Sequence, residues 1–344
     1  PWDALAHAIA LDLRSRASHF PGPLRSVYFG GGTPSLAPAS FFETVLETAR
    51  ETLGIADGAE VTMEIEPDTI DPSELEERVR LGVNRASLGW QSTHKRLLRV
   101  LGRGHDTQAS AEMVRAARAA GFQSLSVDLI FAVPGQRMDE LDADLDAIVA
   151  LDLDHVSLYA LTIEPNTEFD RRRAKGRLTP VDEARELEMM RRIEERLLDV
   201  GYCHYEVSNY AKPGRAARHN SGYWLGLPYL GVGPGAHSYL PKATSARRWE
   251  GLREPDRYIR TSGREVEWEE QLGHAEVLAE RLMTAMRLEQ GIDISTLEFG
   301  DETDRLRAAA QTAVQRGWLR VEGSRWIPTA SGRENADALG ALFF

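Results

Sequence analysis

The run Gly30-Gly31-Gly32-Thr33-Pro34 follows a short apolar stretch, Val27-Tyr28-Phe29. A strand there would run into a turn of bare backbone, whose N–H and C=O groups a small polar ligand can approach closely. A glycine triplet alone is most often just a tight turn, so the assignment needs company. Glu64, Gln91 and Asp128 stand at the ends of later apolar runs, where a carboxylate or amide can bond hydroxyl or amino groups. Arg103 follows a helical stretch, and its guanidinium can clasp a carboxylate with two parallel bonds. Ala160, in Leu158-Tyr159-Ala160, would contribute only backbone. Singly, each has an ordinary explanation, such as a surface carboxylate or a helix-end cation favoured by the dipole.

A second group of chemically able residues lies further on. It contains Tyr205-Glu206-Val207-Ser208-Asn209-Tyr210, then His219-Asn220-Ser221-Gly222-Tyr223-Trp224, then Tyr229 and the glycine-rich approach to His237. Such density of imidazole and large aromatics in a glycine-rich loop is unusual for packing alone. Buried rings with satisfied polar tips are the competing explanation, and for His237 the better one. Other candidates fail. His7, His19, His94 and His155 lack metal-ligand spacing, no Walker A run occurs, and Cys203 has no recognisable triad partner.

These residues need a scaffold, and the hydrophobic pattern supplies one. It predicts helices over 2–18, 39–53, 71–81, 93–101, 107–120, 138–150 and 180–200. Strands are predicted over 25–29, 60–66, 84–88, 124–130 and 155–161. Regular alternation implies parallel strands with right-handed crossovers, and so an α/β fold. The alternation stops near 202. A helical period returns over 272–289, followed by helices near 294–298 and 303–316 and two short runs, 318–321 and 325–328, that suit a hairpin.

Composition excludes several classes. Among 344 residues, 42% are apolar and 27% charged, enough for a sizeable core and, by length, two domains or one with an appendage. The net charge of −12 argues against a nucleic-acid partner, and Arg171-Arg172-Arg173 with Lys175 reads as a solvated helix surface. One cysteine excludes an internal disulfide and suits a reducing cytoplasm. No apolar stretch nears the ~20 residues of a membrane span. The chain opens at Pro1 rather than methionine, so an upstream segment is expected.

Taken in order, the glycine turn, Glu64-Ile65-Glu66-Pro67, Gly89-Trp90-Gln91-Ser92, Leu101-Gly102-Arg103-Gly104-His105 and Val127-Asp128-Leu129-Ile130 resemble one family. It is the radical S-adenosylmethionine (SAM) family of the oxygen-independent coproporphyrinogen III oxidase type. The His219-Asn-x-x-Tyr223-Trp224 pattern resembles its haem chaperone branch. The resemblance implies a partial, TIM-barrel-like (β/α) radical SAM barrel over residues 1–201, with its first strand and cluster loop upstream. An aromatic and glycine-rich extension would occupy 202–268, and a small, mainly helical, winged-helix-like module of the same family 269–344.

For cofactors, the resemblance implies SAM held by Gly31, Gly32, Thr33, Glu64, Gln91, Arg103, Asp128 and the Ala160 backbone. Gly32 and Thr33 would meet its amino group and Arg103 its carboxylate. It implies haem at His219, Tyr223 and Trp224, with His219 on the iron, since imidazole is an ordinary haem ligand and aromatics can cover a porphyrin face. It implies a [4Fe–4S] cluster on a CxxxCxxC loop, for which Cys203 alone is insufficient. Trp90 replaces the usual small aliphatic residue and is expected to reshape the wall beside Gln91. The implied function is to bind haem and pass it to haem-requiring apoproteins in the cytoplasm, with room for transient membrane contact. It implies a chaperone rather than a coproporphyrinogen dehydrogenase, on a radical SAM scaffold. A coproporphyrinogen III dehydrogenase and a cluster-free binding module are the alternatives.

Overall fold

A computed structural model describes residues 2–104 and 107–344. His105, in the Arg103 motif, lies outside the described residues. Seven strands form one sheet: β1 (Leu24–Phe29), β2 (Ile55–Ile65), β3 (Arg85–Gln91), β4 (Ser124–Phe131), β5 (His155–Ala160), β6 (Cys203–Glu206) and β7 (Asn209–Ala211). Their spatial order is β1-β2-β3-β4-β5-β7-β6, an open sheet with two edges. Strands β2 to β5 pair in parallel, and β7 and β6 add an antiparallel border.

The chain divides into two compact units, one of residues 28–36 and 61–217, the other of residues 1–27, 37–60 and 218–344. The first contains most of the sheet. Its register aligns Glu64 with Ser87, Ser87 with Ser126, and Gly89 with Asp128 and Ser157. Alternate residues share a face, so these polar side chains line one side. The other side is apolar: Met63, Ile65, Leu88, Val127 and Leu129 are at most 1% exposed. Helices Leu75–Leu81, Thr107–Ala120 and Met138–Ala150 connect the parallel strands. Burying that apolar face is the main force holding the sheet, at about 1.5–3 kcal/mol per large side chain.

The second unit contains helices Trp2–Arg16 and Ala39–Thr52, a short helix Arg218–Trp224, and the helix His274–Ala285. Its strands β8 (His237–Pro241), β9 (Ala246–Gly251) and β10 (Val266–Leu272) form an antiparallel sheet ordered β10-β9-β8. A smaller sheet, ordered β11-β13-β12, combines β11 (Ile292–Asp293), β12 (Leu319–Glu322) and β13 (Arg325–Pro328). Leu282, Met286, Leu306, Trp326 and Phe343 form a core beside it. Asp12 is buried here, where it accepts from the Tyr258 hydroxyl at 2.8 Å and from Arg16 at 2.5 Å.

Several expectations need correction. The His-Asn-x-x-Tyr-Trp segment is a helix, not a loop. The predicted helix over 71–81 opens as a 3-10 turn, with the Asp71 side chain accepting from Ser73 N, and becomes α-helical only at Leu75. The helix expected over 272–289 starts at His274, because β10 continues through Leu272. That near 294–298 is a single 3-10 turn. Asp128 stands within β4, three residues short of Phe131, rather than at its end. The compact units also cut the chain at 217/218 and assign residues 1–27 and 37–60 with the C-terminal part, not along a 201/202 boundary. The basic run 171–173 is the surface expected, with Arg171 paired to Glu168 and Arg173 to Asp170.

Candidate functional site

In the sheet-bearing unit, the glycine turn is tied to the end of β2. The Gly31 N–H donates to Glu64 Oε2 at 3.2 Å, and Tyr28 Oη donates to Glu64 Oε1 at 2.8 Å. Gly31 and Gly32 have φ of 74° and 63°, which side chains tolerate poorly. At Gly30 the need is space: a Cβ would stand 2.4 Å from the Tyr28 ring and 2.9 Å from Glu64 Oε1. Thr33 closes the following turn by accepting from Leu36 N.

Next along the polar face, Gly89 makes room for two side chains. A Cβ there would be 2.7 Å from Gln91 Nε2 and 2.9 Å from Glu66 Oε2. Gln91 itself has φ of 56°, a left-handed conformation rare outside glycine, at a register shift in β3. Its Oε1 is buried with no hydrogen-bond partner among the described residues. Strain and an orphaned acceptor at the same residue make Gln91 a candidate ligand contact. Arg103 reaches this place through Glu66, at 3.5 Å, and its side chain is 45% exposed.

Asp128 lies beside Ser87, whose hydroxyl donates to it at 3.3 Å. Burial pushes its carboxyl up to about 6; Ser157 and Arg85 oppose the shift and Glu64 adds to it. At the other end of this face His155 bonds Ser126 Oγ at 2.7 Å and Tyr205 Oη at 2.8 Å, and burial with the Arg85 charge holds it neutral. Thus the structure brings Gly31, Glu64, Gln91, Arg103 and Asp128 to one face, with Gly32 and Thr33 in the adjoining turn. Ala160 sits at the end of β5, where its side chain belongs to the apolar side, leaving its backbone as the only contribution. Trp90 is a correction: it is 3% exposed on the apolar face with Ala86 and Leu88, and so does not form the wall beside Gln91. Sequence reasoning missed Tyr28, Glu66, Ser87 and Ser157; their period-two alternation with buried apolar residues was the available signal.

In the other unit, the helix Arg218–Trp224 begins on a carboxylate. The backbone N–H groups of Arg218 and His219 each donate to Glu60 at 3.0 Å, which satisfies orphan donors and complements the dipole. It ends in a left-handed turn at Gly226, with Leu227 N bonded to Gly222 O and Gly226 N to Tyr223 O. His219 and Tyr223, one turn apart, share a face. His219 Nδ1 pairs with Ser26 Oγ at 3.1 Å and Nε2 with Tyr223 Oη at 2.8 Å. Burial and neighbouring Tyr229 push the Tyr223 phenol up to about 12. Trp224 does not join them; its half-buried ring lies under the Arg287 guanidinium, 5.2 Å from the centroid. His237 is exposed, 3.8 Å from Glu250 and edge-on to Trp268, as a structural histidine would be.

Residues 8–148 match the radical SAM superfamily, and residues 272–334 the HemN C-terminal domain. The chain is 34% identical over 336 residues to the heme chaperone HemW of Mycobacterium tuberculosis, covering 96% of this chain and 84% of that protein. It is 32% identical over 350 residues to the heme chaperone HemW of Escherichia coli, covering 100% and 90%. The Synechocystis heme chaperone HemW is 34% identical over 309 residues, covering 88% and 74%. The chain belongs to the HemW family. The solved E. coli coproporphyrinogen III oxidase, HemN, described as a radical SAM enzyme, superposes with a TM-score of 0.81. The match covers 99% of this chain and 83% of that one, at 20% identity, and so shows a common fold. The open sheet is therefore a radical SAM half-barrel, with a helical HemN-type region at the C-terminal end.

The superfamily implies SAM and a [4Fe–4S] cluster. The residues on the polar face fit SAM: exposed glycine backbone, an orphaned amide oxygen, carboxylates and an arginine suit an amino acid joined to a nucleoside. They do not fit the cluster, which needs three thiolates where the sequence has one, the exposed Cys203.

Proposed function

We propose that this protein binds haem and delivers it to haem-requiring apoproteins in the cytoplasm, on a half-barrel that also binds SAM. The observation that carries the reading is similarity to heme chaperones HemW over nearly the whole chain, including the His219-Asn-x-x-Tyr223-Trp224 helix. SAM would lie along the polar face of the sheet. The Gly31–Thr33 turn would bond its amino group, Arg103 its carboxylate, Gln91 and Asp128 its hydroxyls, and Ala160 its adenine through backbone. SAM with a cluster is the superfamily's source of radical chemistry. Among the described residues no helix is long and apolar enough to cross a membrane.

The coproporphyrinogen dehydrogenase alternative rests on the likeness to HemN, which supports the fold alone. The cluster-free alternative rests on the cysteine count. Haem titration of wild type, His219→Ala and His237→Ala, followed by the Soret band, tests the chaperone reading. Saturable binding weakened by His219→Ala and not by His237→Ala is expected. No Soret change in wild type would overturn it.

A further inference from the structure

We propose that a cavity in the second unit, between the end of the helix Trp2–Arg16 and the sheet β10-β9-β8, binds a small phosphate-bearing anion. This site is independent of the haem and SAM readings above. The cavity measures about 210 Å³, and its walls include Arg16, His19, Phe20, Arg247, Trp249 and Arg264. Guanidiniums from a helix end, a strand and a turn thus line one small space, in a chain whose net charge is −12. Local concentration of positive charge against that background calls for a ligand of opposite sign.

The arginines are held ready. Arg16 Nε donates to the buried Asp12 carboxylate at 2.5 Å and Nη2 to Gly263 O at 2.7 Å. Arg247 donates through Nε and Nη2 to the two oxygens of Glu269, at 2.9 and 2.7 Å. Both guanidiniums lie over the Trp249 ring, 5.4 and 4.8 Å from its centroid, and Phe20 meets that ring edge-on. The indole is buried, so it is a floor that fixes the cations rather than a surface for stacking a ligand. Gly263 brings in the third arginine. Its φ is 68°, and a Cβ there would stand 2.3 Å from Asp12 Cγ, so glycine lets this turn close on the Asp12–Arg16 pair with Arg264 next in the chain. Donors fixed before a ligand arrives spare much of the ordering cost of binding.

Asp12 and Glu269 offset the charges of Arg16 and Arg247. Arg264 has no carboxylate partner among the described residues; its Nε donates to Thr261 O at 3.0 Å, and its terminal nitrogens are unused there. Nη1 of Arg16 and Nη1 of Arg247 likewise have no acceptor among the described residues. A carboxylate is planar, and the fork of one arginine satisfies it. Forks reaching one space from three elements suit a tetrahedral group, whose oxygens point several ways. The volume lies below the ~300–1,000 Å³ of a drug-sized ligand site. It therefore suits inorganic phosphate or a phosphate monoester of a few carbons.

The test titrates the full chain by calorimetry with inorganic phosphate, glycerol 3-phosphate and acetate, in a phosphate-free buffer of low ionic strength. Thermal melting confirms that each variant folds. Wild type should bind the two phosphates at one saturable site, and acetate at least about 10-fold more weakly. Whichever phosphate binds more tightly identifies the source, free ion or monoester, and either order supports the site. Arg264→Ala should weaken binding roughly 10–100-fold, the loss of a charged hydrogen bond, and Arg264→Glu should abolish it. Arg115→Ala, the same loss of charge on the exposed face of the helix Thr107–Ala120, should change nothing. Excess SAM should not displace the ion. Binding that never saturates, acetate as tight as phosphate, equal weakening by Arg264→Ala and Arg115→Ala, or displacement by SAM would overturn the proposal.

Discussion

Replacing Asp128 with asparagine should change how stability depends on pH, and the direction follows from the site. Asp128 is partly buried on the polar face of β4, and burial raises its carboxyl from 3.8 to about 6, despite hydrogen bonds from Ser157 and Ser87 and the nearby Arg85 charge. The folded value exceeds the unfolded one, so the ionised form is the costly form. No penalty exists while the group is protonated in both states; it accrues as pH rises from the unfolded value and is complete above the folded one. The gap between 3.8 and about 6 corresponds to ~3 kcal/mol for a wholly dry group. Asp128 keeps some exposure, so ~1–2 kcal/mol is expected after solvent screening. The Asp128→Asn side chain would retain the acceptor for Ser87 without the charge. Urea unfolding of both proteins at matched ionic strength, from about pH 4 to about pH 8, isolates the group, since other carboxylates cancel in the difference. The variant should gain ~1–2 kcal/mol on wild type across that range. A difference that is flat, or that moves towards wild type as pH rises, would show that Arg85 and the serines outweigh burial.

Gly89→Ala should weaken SAM binding about 10–100-fold through ~1–3 kcal/mol of overpacking, because its Cβ must push aside Gln91 and Glu66. Calorimetric titration with SAM checks this, and unchanged affinity in a folded variant would remove those two side chains from the site. Arg103→Ala should weaken SAM binding by about 1.5–3 kcal/mol, the range for a charged hydrogen bond, in the same titration. Gly226→Ala should destabilise by ~1–2 kcal/mol, from its φ of 62° and the Arg281 side chain 2.5 Å from the added Cβ. Thermal melting reads that loss, and reduced haem affinity should accompany it. Iron and sulfide reconstitution of this 344-residue chain should give no stoichiometric cluster absorbance; such a band, lost in Cys203→Ala, would contradict the thiolate count.

The helices over 107–120 and 138–150 and the strand over 124–131 are legible in the sequence almost to the residue, because each carries a strong period of its own. The position of Asp128 within its strand is not, since β4 stops where pairing with β5 stops, at Phe131 opposite Ala160. Trp90 reads from its motif as a departure in the SAM wall. Alternation along β3 assigns it to the apolar face, and that parity can be counted from Ala86 and Leu88.

The residue types at the candidate sites, their order along the chain and the α/β class of the first half are properties of the sequence itself, because glycine turns and hydrophobic periods are local. The helix carrying His219 is not local in this sense. Its glycine, serine and asparagine favour a loop, and Glu60, remote in sequence, supplies the carboxylate that begins it. Which imidazole nitrogen faces Ser26, which faces Tyr223, and that Trp224 turns away to Arg287 follow from that helix. Spacing alone shows that three side chains are close along the chain; only the tertiary fold decides which of their atoms are already engaged and which a ligand can meet.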